Sequence, residues 1–198
     1  MHTDRYFLFL LALAPALASC NIFDTREPDP PQQSSSRYEP PTSPSIVFVN
    51  LTNAFLDLNS VNYVASFSDS ARSGRTFVFE PTSQARSRYG VFSDWSRQSE
   101  LQYFEILRSQ LAKGTAPNLT LTFDANSQVL GPDTAYFEGT YQLAIPHTRT
   151  DIARLVRGRA QFFLFADASR NWYIRRWIDF ALAEGDSTWS DIKGGFGQ

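Results

Sequence analysis

Residues 159–182 read RAQFFLFADASRNWYIRRWIDFAL, and the fold is decided by how this stretch is read. Its centre, Asp167-Ala168-Ser169-Arg170-Asn171, is a run of small and turn-forming residues, so the apolar segments on either side are expected to be the arms of a hairpin. The first arm, Leu155 to Ala166, contains Gln161-Phe162-Phe163-Leu164-Phe165, apolar without alternation, as in a strand covered on both faces. The second arm, Trp172 to Leu182, is informative through its parity. Trp172 and Ile174 fall on one side and Trp177 and Asp179 on the other, with Arg175 and Arg176 between them. If both tryptophans face a core, the strand slips by one residue, which is a β-bulge. Bulges bend sheets, and a bent sheet can wrap a cavity.

Upstream of this hairpin, period-two patterns at Leu119–Phe123 and Ala135–Ile145 predict two more strands, and Thr76–Phe79 a short one ended by Glu80-Pro81. Earlier still the period is helical. Val47, Leu51, Ala54, Phe55 and Leu58 predict a helix over Ile46 to Leu58. Ser60 is the expected cap of a short second helix through Phe67. Ser68 to Arg75 and Thr82 to Gly90 read as polar loops. Ser93-Asp94 would cap a third helix, Trp95 to Leu111, with Leu101, Phe104, Leu107 and Leu111 as its stripe and Gly114 as its stop. Helices followed by hairpin-joined strands predict an α+β domain with a mostly antiparallel sheet.

The first residues carry a different message. Arg5 precedes an apolar run, Tyr6 to Leu17, that is short of the about 20 residues a membrane span needs. Leu17-Ala18-Ser19-Cys20 then resembles the lipobox of bacterial lipoproteins: residues 1–19 are the expected signal peptide and Cys20 the residue that takes diacylglycerol and palmitate. Cys20 is the sequence's single cysteine, so no disulfide is expected. Through Ser45 the chain is rich in proline, glutamine and serine. Residues 20–45 are therefore read as a lipidated tether, reaching at most roughly 75 Å at about 3.1 Å per residue. The domain proper is placed at residues 46–198. Asn21 is not aspartate, which by resemblance to the Gram-negative sorting rule points to the outer membrane. Membrane contact is expected through the Cys20 lipid. The net charge of −2 gives no basic excess for nucleic acid.

With the order helix, short helix, strand, long helix and long strands, the chain resembles the nuclear-transport-factor-2-like (NTF2-like, or SnoaL-like) family. The stretch Arg159 to Phe180, with Trp172-x-Ile174-x-x-Trp177-x-Asp179, resembles its closing hairpin. The tail Trp189-Ser190-Asp191-Ile192-Lys193-Gly194 resembles the ending of some envelope lipoproteins of that fold. The resemblance implies a cone with a cavity between helices and sheet, and a fold that hosts enzymes, carriers and interaction modules alike.

Within such a cone Asp179 is the first acid–base candidate, desolvated beside indole and phenyl rings. Glu138 and Tyr136 on a neighbouring strand are weaker ones. The plainer role for Asp179 is a polar network or a pair with Arg175 or Arg176. Phe163, Phe165, Trp172, Trp177 and Asp179 are the expected cavity lining. His147 reads as a solvated loop residue, and with a lone histidine and no free cysteine in the mature chain neither a metal nor a cofactor is expected. Arg149, Arg154, Arg157 and Arg159 read as a solvated face. The favoured reading is a non-enzymatic envelope lipoprotein that takes a small apolar or amphipathic ligand, or an envelope protein partner, through the cone. An isomerase, dehydratase or hydrolase using Asp179 is the alternative, and an assembly factor the third.

Overall fold

In the final strand, the slip inferred from parity is present. The computed structural model describes residues 37–198; the signal segment, Cys20 and the tether through residue 36 lie outside the described residues. Strand β6 (Trp172–Phe180) pairs antiparallel with β5 (Leu155–Ala166), with Leu164 opposite Ile174 but Phe163 opposite Arg176. Arg175 is the extra residue. The slip brings Trp172, Ile174, Trp177 and Asp179 to one face, all buried. Arg175 and Arg176 are both exposed on the other.

The rest of the sheet grows from this hairpin. β4 (Thr134–Ala144) pairs antiparallel with β5, and β2 (Asn118–Phe123) and the two-residue β3 (Val129–Leu130) both pair with β4. β1 (Val78–Glu80) adds in parallel to β6, giving the order β1-β6-β5-β4-β2. Helices pack on one face of the mixed sheet, the α+β layering that the sequence pattern leads one to expect.

The first helix, α1 (Pro44–Leu56), begins two residues earlier than its apolar period suggested, because Pro44 at its first turn has the helical φ preset and lacks an N–H that would go unbonded. Val47, Phe48, Leu51, Ala54 and Phe55 form its buried face. The short helix α2 (Ser60–Ala65) is capped by Asn59, whose side chain accepts from Asn62 N–H, rather than by Ser60. Both expected loops contain helical turns: α3 (Ser70–Ser73), capped by Asp69, and α4 (Ser83–Arg88), capped by Thr82. The long helix α5 (Arg97–Ser109) starts after a 3-10 turn at Gly90–Asp94, its cap being Ser96 in a reciprocal box with Ser99. The helix lies where its apolar stripe places it but starts two residues later, because Ser93-Asp94 and Ser96 are equally good caps.

Upstream of α1, the expected domain boundary at residue 46 falls inside packed chain. Glu39 N–H donates to Asn50 Oδ1 (2.9 Å), Asn50 Nδ2 returns a bond to Glu39 C=O (2.7 Å), and Trp172 N–H donates to Pro41 C=O (2.7 Å). Asn50 is buried. Removing Arg37 to Thr42 should therefore lower stability by about 1–3 kcal/mol for each polar group left unpaired. A melting curve unchanged by that deletion would show that these bonds contribute nothing.

A final helix, α6 (Trp189–Phe196), was not anticipated. All eight of its residues are buried, so it has no apolar stripe set against a polar face, and two glycines lower its propensity. Those glycines permit close approach: a Cβ on Gly194 would lie 2.3 Å from the Tyr89 ring, and one on Gly195 2.6 Å from Ile152. One signal was available. Thr188 and Asp191 form a capping box at a spacing that marks a helix start.

Candidate functional site

Helix α6 lies in the cone where a cavity was expected. Trp189 packs edge-on against Trp177 (centroids 4.5 Å), Phe55 and Tyr141 (both 5.3 Å). Its indole Nε1–H reaches Tyr103 Oη at 3.2 Å. Ile192 and Phe196 are fully buried beside it.

Asp179 points inward, as its new parity requires, and meets α6. It accepts from Ser190 N–H (2.8 Å), Ser190 Oγ (2.5 Å) and Tyr141 Oη (2.7 Å). Tyr141 Oη in turn accepts from Trp189 N–H at 2.7 Å. Burial raises the Asp179 carboxyl above its usual range, against the hydrogen bonds from Ser190 and Tyr141, which favour the ionised form. The expected arginine pairing is absent: Arg175 and Arg176 face the other side of the sheet, and Arg176 pairs with Glu80.

Two charged residues missed in the sequence complete the interior. Glu100 and Lys193 are both fully buried and form an ion pair at 2.5 Å. Glu100 also accepts from Trp95 Nε1 (2.8 Å) and Tyr63 Oη (2.7 Å). The Lys193 ammonium lies 3.7 Å from the ring centroids of both Phe79 and Trp177, a cation held between two π faces. Burial pushes Lys193 down to about 8, against the opposing attraction of Glu100. The same burial holds the phenols of Tyr63, Tyr103 and Tyr141 well above the ordinary tyrosine range. Neither was singled out in the sequence: Glu100 lies in the first turn of α5, and Lys193 in the helix that was not anticipated.

The other expected residues divide between the two faces of the sheet. Trp172 and Trp177 are in the core with Phe162 and Leu164. Phe163 and Phe165 alternate with these along β5 and lie on the outer face, so they do not line the cone; Phe165 is nonetheless buried. Tyr136 and Glu138 are likewise outside the cone. There Tyr136 Oη donates to Glu138 (2.5 Å), which Arg159 approaches at 3.3 Å, and burial with the adjacent carboxylate pushes the phenol up to about 12. They are not acid–base partners of Asp179. His147 is buried rather than solvated: Nε2 lies 3.2 Å from Ala153 C=O and the ring packs on Phe196. Sequence gave no hint of this, because its neighbour Phe196 comes from the unforeseen helix. Of the arginine series, Arg149 pairs with Asp151 and donates to Gly195 C=O at the end of α6, while Arg157 donates to Gln142. Among the described residues no group of three or more His, Cys, Asp or Glu is arranged to hold a metal ion.

No protein-family model matches the chain, and no curated protein matches it. Solved structures do resemble it in layout. A conserved protein from Planctomyces limnophilus superposes with a TM-score of 0.48 at 13% identity, over 68% of this chain and 89% of that one. A ketosteroid isomerase-like protein from Erwinia carotovora atroseptica gives 0.47 at 9%, covering 70% and 93%. An NTF2-like protein of unknown function from Shewanella oneidensis gives 0.38 at 10%, covering 67% and 92%. At such identities none of them lends this chain a residue role.

Proposed function

We propose that the chain is a membrane-tethered envelope lipoprotein whose domain is a non-catalytic binding module, recognising a ligand or an envelope partner on the outside of a filled cone. The observation that carries this reading is helix α6. It occupies the concavity and takes up the acceptor sites of both interior carboxylates, Asp179 through Ser190 and Glu100 through Lys193. A catalytic carboxylate must reach its substrate within hydrogen-bond distance; here the chain itself occupies those positions. A groove of about 590 Å³ stays open at the rim, where α1 meets the inner face of β2 and β4, lined by Phe48, Leu121, Phe123 and Phe137. In this reading membrane attachment comes from the Cys20 lipid; no helix among the described residues is long and apolar enough to cross a bilayer.

A second reading, an isomerase, dehydratase or hydrolase using Asp179, is favoured by the raised carboxyl. It needs α6 to withdraw. Hydrogen exchange separates the two. The N–H groups of Trp189 and Ser190, bonded to Tyr141 and Asp179, should exchange as slowly as the central β5 amides. Much faster exchange at α6, without global unfolding, would transfer the weight to the enzyme. Anchoring is checked separately: Cys20→Ser should abolish labelling by a fatty-acid probe, and a mutant still labelled would sink the lipoprotein assignment.

A further inference from the structure

The bulge in β6 has an effect on the outer face of the sheet as well. It places two consecutive arginines there, and they have different surroundings. Arg176 pairs with Glu80 and lies over the Phe163 ring at 5.3 Å. Arg175, the extra residue of the bulge, has no carboxylate in ion-pair range among the described residues. Neither has Arg75, whose guanidinium lies over the Phe165 ring at 5.0 Å. Both border one cleft of about 310 Å³, which Phe163 and Phe165 also line. Its remaining apolar residues include Val129 and Leu130 of the short strand β3, each 65% exposed. Two unpaired guanidiniums at the edge of an apolar cleft with an exposed aliphatic pair complement one kind of molecule: an apolar chain that ends in an anion. The volume is at the low end for ligand sites, which admits a single chain.

We infer that this cleft binds a single-chain amphipathic anion, an acyl chain with a carboxylate head held by Arg75 and Arg175 and a tail against Phe163, Leu130 and Val129. The inference rests on the reading of the domain as a binding module and names its ligand class. It is tested on residues 37–198, whose hydrophobic core is contained within that span. Dodecanoate is titrated below its self-association concentration, with dodecylammonium and a neutral decyl maltoside as matched probes. Dodecanoate should bind saturably, one-to-one, and at least about tenfold more tightly than either of the others. Arg75→Gln combined with Arg175→Gln should remove that preference while the melting curve stays put. Arg86→Gln, outside the cleft, should leave binding unchanged. Equal affinity for all three probes overturns the assignment. So does an unaltered preference in the double variant, or binding to phosphatidylglycerol vesicles without binding of the monomeric anion. A different ligand retained by the host-purified protein in a native mass spectrum, with no dodecanoate bound, sinks the cleft and leaves the binding module standing. Fast exchange at α6 would undercut the binding module without altering the titration.

Discussion

Trp177→Ala should destabilise the domain by roughly 3–5 kcal/mol, the range for removing a large aromatic from a closed core. Few single changes elsewhere should match it, because Trp177 is fully buried and joins three strands of the sheet to α6. Its ring meets Phe162 on β5 (5.1 Å), Phe79 on β1 (5.3 Å) and Trp189 on α6 (4.5 Å), and carries the Lys193 ammonium on its face. Alanine would leave a void between the sheet and α6, with the ammonium losing one of its two nearest π faces. A loss of this size is a large share of the 5–15 kcal/mol that holds a typical domain together. Chemical denaturation measures it directly. A Trp177→Ala domain with the wild-type midpoint would mean that the tryptophan is exposed and the bulge absent.

That the bulge could be read from sequence, while the cone's contents could not, has a physical basis. Parity is a strict property of a strand, so two tryptophans five residues apart, both too apolar to expose, force an irregularity between them. The same logic fails for Phe163 and Phe165, because a strand apolar on both faces has no alternation to assign them. It fails again at α6. A helix buried on every side shows no period, and its charges look solvated until their partners are known. Glu100 and Lys193 lie 93 residues apart in sequence, and no local pattern links them. The order of the longer helices and strands before α6, and the inward turn of Asp179, were therefore legible from residues near in sequence. The filling of the cone depends on long-range pairings that only the folded chain displays.

Glu100→Gln should destabilise the domain by about 3–5 kcal/mol at pH 7, the range for leaving one partner of a buried ion pair without its counter-charge. Glutamine keeps an oxygen for Trp95 Nε1 and a polar group for Tyr63, so the loss is referable to the stranded Lys193 ammonium. Adding Lys193→Met, which removes the second charge at similar volume, should recover most of that loss, since buried pairs replaced together are often neutral in stability. The pH dependence has a definite sign. Lys193 sits at about 8 in the fold against an ordinary 10.5. Between these values the unfolded chain binds the proton and the folded one does not, so the lysine's contribution to stability grows as pH rises through that window. The buried phenols of Tyr63, Tyr103 and Tyr141 act oppositely: held protonated above their ordinary 10, they lose their stabilising contribution as pH climbs past that value. The wild-type midpoint should therefore rise from pH 8 toward 10 and fall beyond it. In Glu100→Gln the attraction that holds the lysine's proton is gone, so the rise should begin below pH 8. In the double variant it should vanish, leaving only the alkaline fall. Melting curves of the wild type, Glu100→Gln, Lys193→Met and the double variant across pH 6–11 give both the coupling energy and the slopes. A Glu100→Gln domain that melts like wild type, with the same slope, would place the ammonium outside the aromatic cage and remove the pair as the element that seats α6 in the cone.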